Sequence, residues 1–104
     1  MYRQGDILIL PTRRTKRGAP EARHPQHGAL LALGDSTQHA HAIHSKRATI
    51  FAIEGEADRL LVIDGVKPVQ LVHDEHSTIS IPAGTYLVRR QREYTPTELR
   101  TVAD

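Results

Sequence analysis

Three of the seven histidines in this chain fall within one short stretch, Gly34-Asp35-Ser36-Thr37-Gln38-His39-Ala40-His41-Ala42-Ile43-His44, and two more stand in His73-Asp74-Glu75-His76. Side chains of an extended strand alternate faces, so His39, His41 and Ile43 point one way and Ala40, Ala42 and His44 the other. Ile43, the large apolar member, assigns its own face to the interior. His39 and His41 then stand side by side on that face, about 6–7 Å apart at the backbone. Two imidazoles can close such a gap onto one ion, and neutral imidazole suits several divalent transition metals.

The second cluster supplies the missing donors. His73 follows Val69 and Leu71 on one strand face and ends an inward-pointing row; His76 lies three residues on, across a turn. His39, His41, His73 and His76 are therefore the expected ligands of a single divalent transition metal, with Zn, Fe, Ni and Mn the candidates. Asp74 or Glu75 adds a further ligand, an acceptor for a ring N–H, or a proton acceptor, and Glu75 is the candidate general base. His24, His27 and His44 fall outside this set and read as surface histidines. The bland alternative for all of them is a histidine-rich rim whose charge changes near pH 6.5.

The elements that must position these groups are short. Apolar blocks at Asp6–Leu10, Leu30–Leu33, Ala48–Ile53, Arg59–Ile63, Val69–His73, Thr78–Ile81 and Thr85–Arg92 alternate with turn residues at roughly eight-to-twelve-residue spacing. With the histidine strand they predict an all-β chain, a single small barrel or sandwich of about seven to nine strands. Gly34–Thr37 and Pro82-Ala83-Gly84 read as turns, with Thr37 and Gln38 placed beside the histidine pair. Asp64-Gly65 reads as a tight hairpin turn. Residues 12–28 carry five arginines and lysines, two prolines and two glycines, and read as an irregular basic loop. The tail offers one helical turn at most, over Thr97–Arg100. One domain accounts for all 104 residues.

Composition narrows the chemistry. Without cysteine, any metal must be held by His, Asp, Glu or water. Four aromatic residues provide a poor platform for stacking single-stranded nucleic acid, and a formal charge of +2 is weak attraction for a polyanion. Glycine-rich phosphate loops and serine elbows are absent, which disfavours nucleotide hydrolysis and covalent catalysis. The first apolar run is about five residues, shorter than a signal core or a membrane span, so a cytoplasmic protein is expected.

Gly34-x4-His39-x-His41, the later Glu54-Gly55, and Ile79-Ser80-Ile81-Pro82-Ala83-Gly84 together resemble the cupin pattern. That resemblance implies a small β-barrel holding one metal beside a His-x-His strand and a Pro-x-Gly turn. The chain departs from it in three places. Glu54 lies far downstream, no histidine follows Pro82-Ala83-Gly84, and His73 and His76 precede that turn, so the ligand set differs. His39-Ala40-His41, His73-Asp74-Glu75-His76 and Gln91-Arg92-Glu93-Tyr94 are also similar to strings in small uncharacterised bacterial and phage-type proteins, which implies no particular activity.

Arg89-Arg90-Gln91-Arg92-Glu93-Tyr94 puts Arg90 and Arg92 on one strand face. As an edge such a run is solvated and discourages aggregation; as a site, Arg90 and Arg92 with Tyr94 form an anion clamp for a carboxylate or phosphate. Three functions follow. The first is a metal-binding β protein, extending to a hydrolytic or other metal-dependent enzyme. The second is a module binding nucleic acid or phosphate through Arg13, Arg14, Lys16, Arg17, Arg89, Arg90 and Arg92. The third is a homo-oligomeric assembly protein with histidines at the subunit interface.

Overall fold

The computed structural model describes residues 1–15, 18–33 and 39–91. Those residues form nine strands: β1 (Tyr2–Gln4), β2 (Ile7–Pro11), β3 (Ala29–Leu33), β4 (Ala40–Ile43), β5 (Ala48–Ala52), β6 (Arg59–Ile63), β7 (Val69–Val72), β8 (Ile79–Ile81) and β9 (Gly84–Arg90). One sheet has the order β1-β2-β9-β6-β5 and the other β3-β4-β7-β8, with antiparallel pairing throughout. The all-β expectation holds, and between its two forms the chain takes the open one, a sandwich of two sheets rather than a closed barrel.

The period-two pattern explains the packing. Ile7, Ile9, Ile50, Leu61, Ile63, Tyr86 and Val88 point inward from the five-stranded sheet, and Leu31, Ile43, Val69, Leu71 and Ile81 meet them from the other. Most of these are almost wholly removed from water, each contributing about 1.5–3 kcal/mol of transfer free energy. Ile7, Leu8 and Ile9 of β2 are all buried, so both faces of the strand are covered there, in keeping with its nearly unbroken apolar run.

Several expectations need correction. Asp64-Gly65 makes no hairpin, because β6 and β7 belong to different sheets. The chain crosses over there, and the Arg47 guanidinium gathers the crossover by donating to the carbonyls of Asp64, Lys67 and Pro68. β1 was not visible in the sequence pattern; three residues with one glutamine on the inner face give little apolar signal. Part of the basic loop is tied down, since Gly18 N–H donates to Ala52 O and Glu21 N–H to Ile50 O along β5. The final strand stops at Arg90. The expected turn at Gly34–Thr37, Gln38, Arg92, Tyr94 and the helical turn at Thr97–Arg100 lie outside the described residues.

Candidate metal centre

Gln4, Ile7 and Arg90 are cross-strand neighbours on β1, β2 and β9. They form the last rung at one end of the five-stranded sheet. Facing them from the other sheet are His41 on β4 and the segment His73–Ser77, which joins β7 to β8. Gln4 crosses between the sheets: its side-chain amide donates to Leu71 O and Ser77 O, both at 2.9 Å. That clamp fixes the base of the loop carrying His73 and His76.

The two histidine clusters meet here. The His41 and His73 ring centroids are 4.2 Å apart, His73 and His76 4.6 Å, His41 and His76 5.8 Å, and His39 and His73 6.0 Å. Of these rings only His41 lies within a strand; His39, His73 and His76 stand on the segments flanking β4 and β7. His41 and Ile43 are buried, His44 is exposed, and His73 completes the inward row of Val69 and Leu71 with its side chain only 5% exposed. His39 lies just before β4 and is half-buried.

Within this group the donor atoms that converge are those of His39, His73 and Asp74, all within 4.8 Å of one another. Asp74 is 3.0 Å from His39 Nδ1 and 3.3 Å from His73 Nδ1. The Glu75 N–H donates to His73 Nδ1 at 3.0 Å, so in the neutral ring Nδ1 is the bare, electron-donating nitrogen. Burial works to raise the Asp74 pKa, but the hydrogen bond and charge of His39, with His73 behind it, outweigh this and hold it below the usual carboxylate value. Glu75 lies alongside, its Oε1 3.7 Å from His39 Nδ1. His41 and His76 adjoin this triad rather than completing it.

His41 is placed differently. Its Nδ1 lies 2.8 Å from Gln4 Oε1. Because both bonds of the Gln4 amide nitrogen go to carbonyls, Oε1 is the face turned to the ring, and His41 Nδ1 is the donor. Nε2 therefore carries the lone pair, and it points toward Asp6 Oδ1 at 3.6 Å. Burial, reinforced by His73 and opposed by Asp6, pushes the His41 pKa down to about 4, so the ring is neutral near pH 7. Asp6 is held in turn by Arg90, whose Nε donates to Oδ2 at 2.8 Å. Although burial opposes it, that hydrogen bond and charge keep the Asp6 pKa low.

The candidate anion clamp is thus represented by Arg90, which stands at this end of the molecule and is paired with Asp6. Gln4 and Asp6 went unnoticed in the sequence. The only available signal was polarity at an inward position of a short strand and a Gly-Asp pair that turn chemistry explains equally well.

A hollow of about 290 Å3 opens on the outer face of β4, with Ala40 and Ala42 as its floor, His73 and Asp74 at one end and His27 and His44 at the other. The larger cavity, about 580 Å3, lies elsewhere, between residues 20–25 and β5. Its two arginines are already engaged, Arg23 by Ala48 O and Ser45 O, Arg59 by Glu21, Leu30 O and Leu31 O. Size points to that cavity, but the chemistry is at the histidines. The His24 and His27 rings lie 4.6 Å apart, tilted to one another, beside His44. His24 Nδ1 accepts the Gln26 and His27 amides, the bonding of a local turn.

Residues 3–91, which take in all the described strands except Tyr2 at the start of β1 and all the groups just described, match a family described as a domain of unknown function (DUF8820). The chain belongs to the DUF8820 family. No curated protein and no solved structure matches it. Among the described residues no helix is long and apolar enough to cross a membrane.

Proposed function

We propose that this DUF8820 protein binds a divalent transition metal, with Zn, Fe, Ni and Mn as candidates, through His39, His73 and Asp74, and that His41 and His76 shape the same pocket. The observation that carries this is the convergence of two imidazoles and a carboxylate from segments far apart in sequence. Two histidines and one carboxylate leave coordination positions open, the arrangement of catalytic rather than structural sites. Here His73 and Asp74 border a hollow that Ala40 and Ala42 also line. A metal so placed polarises a bound water or a substrate oxygen, and Glu75 is the adjacent base. The cupin resemblance supports the idea of a metal beside a His-x-His strand, though not its ligand set.

Metal analysis of untagged protein tests this. At least one equivalent of metal per chain after incubation with Zn2+ and gel filtration is expected. The double substitution His39→Ala/His73→Ala should weaken retention at least tenfold. Substoichiometric metal in both proteins would overturn the proposal.

A further inference from the structure

The segment leading into β3 lies along the free edge of β5 and then departs from it. Glu21 N–H donates to Ile50 O at 2.7 Å, the bond of an added strand. One rung further an antiparallel strand would place the Arg23 amide on Ala48 O. The Arg23 guanidinium takes that position instead, with Nη1 donating to Ala48 O at 2.8 Å and Nη2 to Ser45 O at 3.1 Å. A side chain spans the gap that a main-chain bond would have closed, so the backbone stands off from β5. Beyond the gap the segment is anchored again, where His24 and Gly28 exchange main-chain bonds of 2.8 and 2.9 Å. The stand-off is the cavity of about 580 Å3.

Its floor belongs to the core. Ala29, Ala48 and Ile50 are buried members of the hydrophobic cluster, and the half-buried Leu30 lies beside them. Its charges are unbalanced. Arg23, Lys46 and Arg59 line it together with one carboxylate, Glu21, and Arg59 takes that carboxylate at 2.9 Å. Among the described residues no carboxylate pairs with Arg23 or Lys46. Arg23 is set in place, because Gly28 leaves room for it: a Cβ there would lie 2.9 Å from Arg23 Nη2. Carbonyls orient a guanidinium without neutralising it, and it has further N–H groups to give. Lys46, exposed on the turn between β4 and β5, adds a second cation at the rim.

We infer that this cavity binds a small organic carboxylate with an apolar body, the carboxylate facing Arg23 and Lys46 and the body lying on Ala29, Leu30, Ala48 and Ile50. Its volume falls within the range of small-molecule sites, roughly 300–1,000 Å3, and apolar walls with a few charged groups are their usual make-up. A guanidinium matches the planar geometry of a carboxylate, and a single negative charge offsets the excess of cations. None of the proposed metal ligands lines this cavity, so the site stands or falls independently of the metal.

Titration of the 15N-labelled chain with octanoate and with 2-naphthoate, each beside its uncharged counterpart, 1-octanol or 2-naphthol, tests the assignment. At least one acid is expected to bind at a single site, with amide shifts concentrated at residues 22–24, Ala29 and Ala48–Ile50. It should bind about tenfold more tightly than its counterpart, the scale of one charged hydrogen bond. Lys46→Glu, on an exposed turn, should weaken the acid by about the same factor and leave the counterpart unchanged. Arg23→Gln should weaken the acid likewise. Failure of both acids to bind, an acid that binds no better than its counterpart, shifts confined to His39, His73 and Asp74, or affinities unmoved by both substitutions would each overturn the assignment.

Discussion

The Gln4 amide has both of its donor contacts on backbone carbonyls, which leaves only Oε1 for His41 and so determines which nitrogen of that ring carries the proton. The consequence is measurable in chelator-treated protein. The folded pKa of His41, about 4, lies below the ordinary value of 6.5, so between those values the unfolded chain binds the extra proton. Stability from this group is complete above pH 6.5 and is lost as pH falls toward 4. At about 1.4 kcal/mol per pH unit, moving from pH 7 to pH 5 should remove about 2 kcal/mol. Urea unfolding at both pH values checks this, with His41→Gln as the reference that should lose markedly less. Equal losses in the two proteins would place the effect elsewhere. At this scale His41 was legible in the sequence, because strand alternation sets it on the face of Ile43. Gln4 and Asp6 were not, because their significance comes from the opposite sheet, and no local pattern encodes which turn will face which strand.

Arg59 begins β6 on the core-facing side, in the row continued by Leu61 and Ile63, yet its guanidinium reaches across to β3. It donates to Leu30 O and Leu31 O and pairs with Glu21 at 2.9 Å. β3 is an edge strand of its sheet, so these carbonyls would otherwise be open to pairing with another chain. The neighbouring edge, β5, is covered by residues 18–21 in the same spirit. Arg59→Met should therefore lower stability by about 1–3 kcal/mol, the range for buried polar groups left without partners, and increase light scattering on heating. Arg89→Met removes an exposed bidentate pair with Asp58 and should leave stability nearly unchanged, because solvent screens such a pair. Equal effects of the two substitutions would contradict the edge role of Arg59. The strands themselves were largely readable from apolar blocks and turn residues. Their assignment to sheets was not, as Asp64-Gly65 illustrates: a dipeptide that favours a hairpin also serves a crossover once Arg47 gathers the carbonyls around it.

For the molecule as a whole, a pI near 9.3 and a string of arginines invite a polyanion, and the pairing of those arginines decides how strongly. Arg14 makes a bidentate bond to Glu56, Arg89 one to Asp58, and Arg90 is on Asp6. Each cation considered for phosphate contact in the described part of the last strand is thus neutralised by a carboxylate of the same chain. Transferring it to a phosphate would trade one ion pair for another and leave a carboxylate facing the ligand. Binding of duplex DNA or RNA should accordingly be weak and shallow in its salt dependence, with a log–log slope smaller in magnitude than about 2, corresponding to roughly two phosphates neutralised. Fluorescence anisotropy from 50 to 300 mM salt provides the measurement. A steep slope, abolished by Arg14→Ala/Arg89→Ala, would show that these pairs open to nucleic acid and would return the basic surface to the centre of the protein's function. A shallow slope leaves the uncommitted chemistry at the histidine end of the sandwich, where His39, His41, His73 and His76 gather beside Asp74 and Glu75.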